Sequence, residues 1–97
     1  MNYKILWSDE AVKNLEQILN YLSSEWTERE VTHFKSKLLE QLTIISRFPN
    51  AFPASNIIPR LRKAVLTKQT IIFYEVKDKS IYIAYLFDSR QSTEKSK

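Results

Sequence analysis

Residues 70–90 read TIIFYEVKDKSIYIAYLFDSR. Two runs rich in Ile, Val, Phe and Tyr flank the polar Lys77-Asp78-Lys79. This pattern predicts two β-strands, Thr70 to Val76 and Ser80 to Phe87, joined as a hairpin. The chain contains no glycine, the residue that the tightest hairpin turns favour, so a turn of three or more residues is expected. Arg90 stands at the exit of the second strand. A cation held at the edge of a small sheet suits a phosphate or an acidic partner, because the guanidinium donates two parallel hydrogen bonds.

Working outward, Pro59 introduces Arg60-Leu61-Arg62-Lys63-Ala64-Val65-Leu66, which alternates as a third strand. At the other end of the chain, Tyr3-Lys4-Ile5-Leu6-Trp7 reads as a short strand. Ser8 follows as a helix cap, with Asp9 and Glu10 favourably placed in the first turn. Ala11, Leu15, Ile18, Leu19 and Leu22 then recur at helical spacing, up to Ser23-Ser24. Thr27-Glu28-Arg29-Glu30 has the form of a capping box, a hydroxyl followed three residues later by a carboxylate. It opens a second helix whose stripe is Val31, Phe34, Leu38, Leu42 and Ile45. Pro49 and Pro53 mark the loop beyond it. The short link between the helices predicts an antiparallel helix hairpin, with Trp7 and Trp26 packed at its ends. The resulting class is α+β: an N-terminal strand, then a two-helix hairpin packed on a mainly antiparallel sheet of about four strands. The opposite sheet face is left partly open, and its aromatic residues are free to meet a partner. Residues 1–90 form the expected domain, and residues 91–97 a polar tail.

Several chemistries are excluded by composition. Without cysteine there are no disulfides and no thiolate zinc sites. Without glycine there is no glycine-rich phosphate loop and no dinucleotide fingerprint. No cofactor or metal is expected. No apolar run approaches the roughly 20 residues of a membrane span. Ser8, Asp9 and Glu10 arrive too early for a signal peptide, so a cytoplasmic location is expected.

Charge is unevenly distributed. Residues 60–97 hold nine Lys and Arg against four Asp and Glu, whereas residues 1–59 hold six against seven. That asymmetry points to a basic face for nucleic acid or an acidic protein. Arg60, Arg62, Lys63 and Arg90 are the candidate binding residues. In a meander of the last three strands, Arg60 falls near Ser80 and Arg90 at the opposite end, so the two clusters need not form one site. Arg90 could equally pair with Asp88. The weak catalytic candidates are Arg62, Arg90, Lys68 and Glu75. His33, the single histidine, lies on the second helix and away from the basic strands, where a surface or packing role is expected. Glu75 and Asp88 are the acids near the strand framework, and both read as solvated. Tyr74, Tyr82 and Tyr85 are read first as core residues and second as stacking platforms for bases.

Taken in order, Ile5-Leu6-Trp7-Ser8, Leu15-Glu16-Gln17-Ile18, Tyr21-Leu22, Phe48-Pro49, Leu61-Arg62-Lys63, Ile71 to Val76, Ile81-Tyr82-Ile83 and Phe87-Asp88-Ser89-Arg90-Gln91 resemble the RelE/ParE superfamily of toxins from type II toxin–antitoxin systems. The resemblance implies a small α+β toxin held inactive by a cognate antitoxin, and the basic chain favours an acidic antitoxin segment. RelE-like members cut mRNA in the ribosomal A site, using basic residues on the sheet and often a C-terminal histidine or tyrosine. Here Arg90 and Arg62 match basic positions, Lys68 stands where an arginine is wanted, and nothing after Tyr85 is His or Tyr. ParE-like members bind DNA gyrase and need a surface in place of a catalytic set, which fits this chain better. A module that binds antitoxin but has lost toxicity is a third reading.

Overall fold

The computed structural model describes residues 3–90, so the polar tail expected at 91–97 lies outside the described residues. The elements are β1 (Lys4–Trp7), α1 (Asp9–Glu25), α2 (Glu28–Arg47), β2 (Arg62–Val65), β3 (Thr70–Lys77) and β4 (Ser80–Asp88). They form one four-stranded sheet in the order β1-β4-β3-β2. β1 runs parallel to β4, while β2, β3 and β4 are antiparallel. The helix hairpin supplies the long crossover that a parallel pair requires.

The start of α1 is tied to the sheet through one side chain. Ser8 Oγ accepts the Ala11 N–H at 2.9 Å and donates to the Ala84 carbonyl at 2.6 Å. It therefore caps the helix and fixes it to β4. α1 runs on through Ser23-Ser24 to Glu25 and buries Ala11, Ile18 and Leu22. α2 follows after two residues and buries Phe34, Leu38 and Ile45. The capping box needs correction. Thr27 is the N-cap, with extended backbone, but its hydroxyl makes no cap bond. Its carbonyl accepts the N–H groups of Glu30 and Val31 instead.

The helices pack on one face of the sheet against Ile72, Tyr74, Ile81, Ile83 and Leu86. Each such side chain contributes about 1.5–3 kcal/mol on full burial. β4 keeps Ile81, Ile83 and Leu86 inward although the last two are three residues apart. The pairs Phe73–Tyr85 and Tyr74–Ile83 leave Ala84 over as an extra residue, a β-bulge that resets the alternation. From there Leu86 and Asp88 face the core, while Tyr85 and Phe87 face outward. β1 pairs with β4 only as far as Trp7–Ile83. Beyond it Asn14 Oδ1 of α1 accepts the Leu86 N–H at 2.9 Å.

Three further sequence expectations change. The β3–β4 turn is tight: Lys77 pairs with Ser80, leaving two residues. Asp78 takes φ 56° there, a left-handed conformation that a short polar side chain tolerates and that stands in for the missing glycine. The strand expected from Arg60 is shorter, so Arg60 precedes it. Trp26 is half exposed, whereas Trp7 packs partly against the core.

β2 is sealed: Lys63 N–H donates to Pro53 O, Ser55 N–H to Leu61 O, and Gln41 Nε2 to Val65 O. The face away from the helices is largely apolar. Phe73 stacks on Tyr85 with centroids 4.6 Å apart, and Val65, Tyr82 and Phe87 are exposed. Lys63, opposite Phe73, is the cation beside that stack.

Candidate functional site

Strand register sorts the candidate residues into two groups at opposite ends of the sheet. Arg62 pairs across β3 at Tyr74, and Glu75 is opposite Tyr82, near the β3–β4 turn. Lys68 lies between β2 and β3, and Arg90 follows β4, next to the Thr70–Asp88 pair. Thr70 and Glu75 are five strand residues apart, or about 17 Å at roughly 3.3 Å per residue.

At the first end, Arg62 is committed to the scaffold. Its Nη1 donates to the carbonyl of Phe52 and, at 3.4 Å, to that of Asn50. It thus pins the Pro49–Pro53 loop across the sheet. Tyr74 assists from inside the core, donating its hydroxyl to Pro49 O at 2.7 Å. Burial pushes the Tyr74 phenol up to about 12, against a smaller opposing pull from Arg62, so it stays a donor at neutral pH. Phe52 packs edge-on against the same ring at 6.3 Å. Arg60 reaches Glu75 at 3.8 Å, but its side chain is 69% exposed. A pair so long and so wet contributes about 0–1 kcal/mol.

At the other end, Asp88 is buried, which corrects its reading as a solvated acid. Arg90 grips it with both edges of a fork: Nε to Oδ1 at 3.0 Å and Nη2 to Oδ2 at 2.7 Å. The Arg90 backbone N–H also donates to Oδ1, and Thr70 Oγ1 donates to Oδ2 at 2.8 Å. Burial pushes the Asp88 carboxyl up, but Arg90 and Thr70 together outweigh it and hold the group below the ordinary carboxylate range. The same hydrogen bond raises the Arg90 guanidinium. The Arg90 Cζ sits 5.4 Å from the centre of the Tyr21 ring. Side-chain exposure is 21% for Arg90 and 1% for Asp88, so this ion pair is mostly desolvated.

Arg90 also lines a cavity of about 360 Å³ between the tip of the helix hairpin and the β2–β3 turn. His33 and Lys37 of α2 reach this cavity, as do Trp26 and Lys68. The placement of His33 away from the basic residues is therefore corrected: the helix hairpin folds it to the same end as Lys68 and Arg90. Sequence spacing gave no sign of this, because α2 and Arg90 are far apart along the chain. Asp88 follows Leu86 by two residues and shares its inward phase, but that phase is set by the bulge at Ala84, so the alternation starting from Ile81 and Ile83 does not reveal it. Among the described residues, no group of three or more His, Asp or Glu side chains is placed to hold a metal ion.

The profile of the ParE toxin of the type II toxin–antitoxin system parDE matches residues 5–93. The chain belongs to the ParE toxin family. Known structures share the toxin's fold at low identity. A chain of the chromosomal ParDE system from P. aeruginosa superposes with TM-score 0.76 at 17% identity, covering 89% of this chain and 95% of that one. A chain of the E. coli DinJ–YafQ toxin–antitoxin complex gives 0.63 at 13% identity, over 94% and 97%. One from the RelBE2 toxin–antitoxin complex of Mycobacterium tuberculosis gives 0.60 at 13%, over 91% and 99%. No curated protein sequence matches the chain. The family makes this protein the toxin component of a type II toxin–antitoxin system, with an antitoxin as its partner. No helix among the described residues is long and apolar enough to cross a membrane.

Proposed function

We propose that this ParE-family toxin arrests growth by binding DNA gyrase and does not cut mRNA. The observation that carries this reading is the aromatic face of the sheet. Separation of the candidate groups does not carry it, because the Arg90 end does bring His33 and Glu30 into one cavity with Lys37, Lys68 and Arg90, while Arg62 and Glu75 lie apart from them. Phosphodiester cleavage by a 2′-hydroxyl needs a base, an acid and cations converging within hydrogen-bond reach of one phosphate. Here Arg62 and Glu75 stand at one end of the sheet and Lys68 and Arg90 at the other. Arg62 is occupied by the Asn50 and Phe52 carbonyls. Asp88, the acid beside Arg90, is a weak base because its carboxyl is held below the usual range. The open sheet face between the two ends carries Phe73, Tyr85 and Phe87, with Lys63 the cation beside the stack, where a ribonuclease would need several cations. Such a face suits a protein surface better than a phosphate backbone.

Controlled expression in growing cells tests the reading. Gyrase binding predicts filamentous cells and a DNA-damage response, with translation continuing. Rapid loss of translation with cut mRNA would favour the ribonuclease. Normal growth in the presence of soluble folded protein would favour a module that has lost toxicity.

A further inference from the structure

At the end of the molecule opposite Arg90, several elements bring cations together. Lys77 and Lys79 flank Asp78 in the β3–β4 turn. Lys4 pairs with Ser80 beside it, and the Lys4 N–H donates to Lys79 O at 3.2 Å. The Tyr3 N–H donates to Ser46 O at 2.9 Å, which sets Arg47 and Phe48 next to the start of β1. Arg60 approaches Glu75 from the far side of the sheet. Lys4, Arg47, Arg60, Lys77 and Lys79 are all exposed. Glu75 and Asp78 are the acids among them, and Arg60 alone of the five has an ion-pair partner among the described residues.

Two large apolar side chains project from the same end. Phe48 is 60% exposed and Ile57 is 88% exposed. Ile57 is held out by a tied loop. The buried Ser55 hydroxyl oxygen accepts the N–H groups of Ile57 and Ile58 at 3.1 and 3.2 Å. Ser55 N–H donates to Leu61 O at 2.8 Å, and Leu61 N–H to Ile58 O at 2.9 Å. An isoleucine fixed in water forfeits hydrophobic free energy that an apolar phase would recover.

We infer that this end of the toxin is a docking surface for an anionic lipid bilayer. The five cations meet headgroup phosphates, and Ile57 and Phe48 insert at the boundary with the acyl chains. Charge complementarity selects an anionic leaflet, and that attraction fades within a Debye length of the surface. The apolar tips add an attraction that salt does not screen. A nucleic-acid backbone shares the phosphate chemistry, but contacts to phosphate and sugar leave a protruding Ile and Phe without an apolar phase. This surface lies away from the Arg90 cavity, and its use does not rest on the choice between gyrase and mRNA.

The test is cosedimentation of the full chain with vesicles at physiological salt. The probes are phosphatidylcholine vesicles, the same vesicles with one third phosphatidylglycerol, and a short DNA duplex as competitor. The chain is expected to sediment with the anionic vesicles and to stay in solution with the neutral ones. A Lys77→Glu, Lys79→Glu double variant is expected to bind at least tenfold more weakly. A Lys37→Glu, Lys68→Glu variant makes the same charge change at the Arg90 end and is expected to bind within about twofold of the parent, since surface attraction is confined to nearby charges. Ile57→Ser leaves the charge unaltered and is expected to weaken binding several-fold. In the unsubstituted chain, a lipid spin label near the headgroup should broaden the amide signals of Phe48, Ile57 and Lys79 and spare those of Trp26 and Arg90. Four results would overturn the inference: no binding to anionic vesicles, equal loss in the two double variants, broadening confined to the Arg90 end, or an Ile57→Ser variant that binds as before while duplex DNA strips the chain from the vesicles. With no gyrase and no ribosome present, such a failure leaves the proposed target untouched.

Discussion

The two arginines of the sheet, Arg62 and Arg90, stand in comparable sequence settings but perform different physical work. Arg62 gives its charge to neutral carbonyls and ties a loop to the scaffold. Arg90 is itself tied, by a buried carboxylate, and keeps donors facing a cavity. The first is a clamp and the second is a presented group. A basic residue near a sheet is therefore evidence for a binding site only when it also faces an open cavity, as Arg90 does and Arg62 does not.

The contrast can be broken most forcefully at Asp88. Asp88→Ala leaves a largely desolvated guanidinium without its carboxylate and is expected to cost about 3 kcal/mol in a urea titration, at the lower bound for a broken buried pair because Arg90 keeps some solvent access. Arg62→Ala should cost about 2 kcal/mol, the range for hydrogen bonds from a charged group. It should leave the Arg90 cavity and growth arrest per folded molecule unchanged. If Arg62→Ala abolished arrest in a folded protein, its assignment to the scaffold would be wrong. Tyr74→Phe removes one buried hydrogen bond to Pro49 O and should cost about 1 kcal/mol.

The two ends should also fail at opposite extremes of pH. The Tyr74 phenol is raised from 10 to about 12 in the folded chain, so its contribution is complete below pH 10 and is lost as pH rises towards 12. Tyr74→Phe should flatten the alkaline limb of a stability profile. The Asp88 carboxyl is lowered on folding, so its contribution is present above the ordinary value of about 3.9 and is lost as pH falls through the folded value. Asp88→Asn should flatten the acid limb and lower stability at every pH above it, without changing the slope of the alkaline limb. An unchanged acid limb would mean that Arg90 and Thr70 do not hold the carboxylate in the ionised form.

Much of this contrast could not be read from the chain. The strands, both helices and their order followed from apolar period and turn residues, and the separation of Arg60 from Arg90 followed from the meander. What escaped was contact at a distance. Nothing local ties Arg62 to Asn50 and Phe52, because that bond depends on where the loop after α2 lands. His33 and Lys37 reach Lys68 only through the fold-back of the helix hairpin. The bulge at Ala84 resets the inward phase of β4, which is why Asp88 passed for a solvated residue. The turn at Asp78 shows the reverse error: the missing glycine suggested a longer loop, and an aspartate took the left-handed position.

The central proposal is that this ParE-family toxin arrests growth by binding DNA gyrase and does not cut mRNA. Its most direct measurement is supercoiling of relaxed plasmid by purified gyrase with increasing amounts of the purified chain, alongside mRNA cleavage on programmed ribosomes. The account predicts that supercoiling is inhibited, with cleaved DNA accumulating, while the mRNA stays intact. Full supercoiling together with A-site cleavage of the mRNA would contradict it.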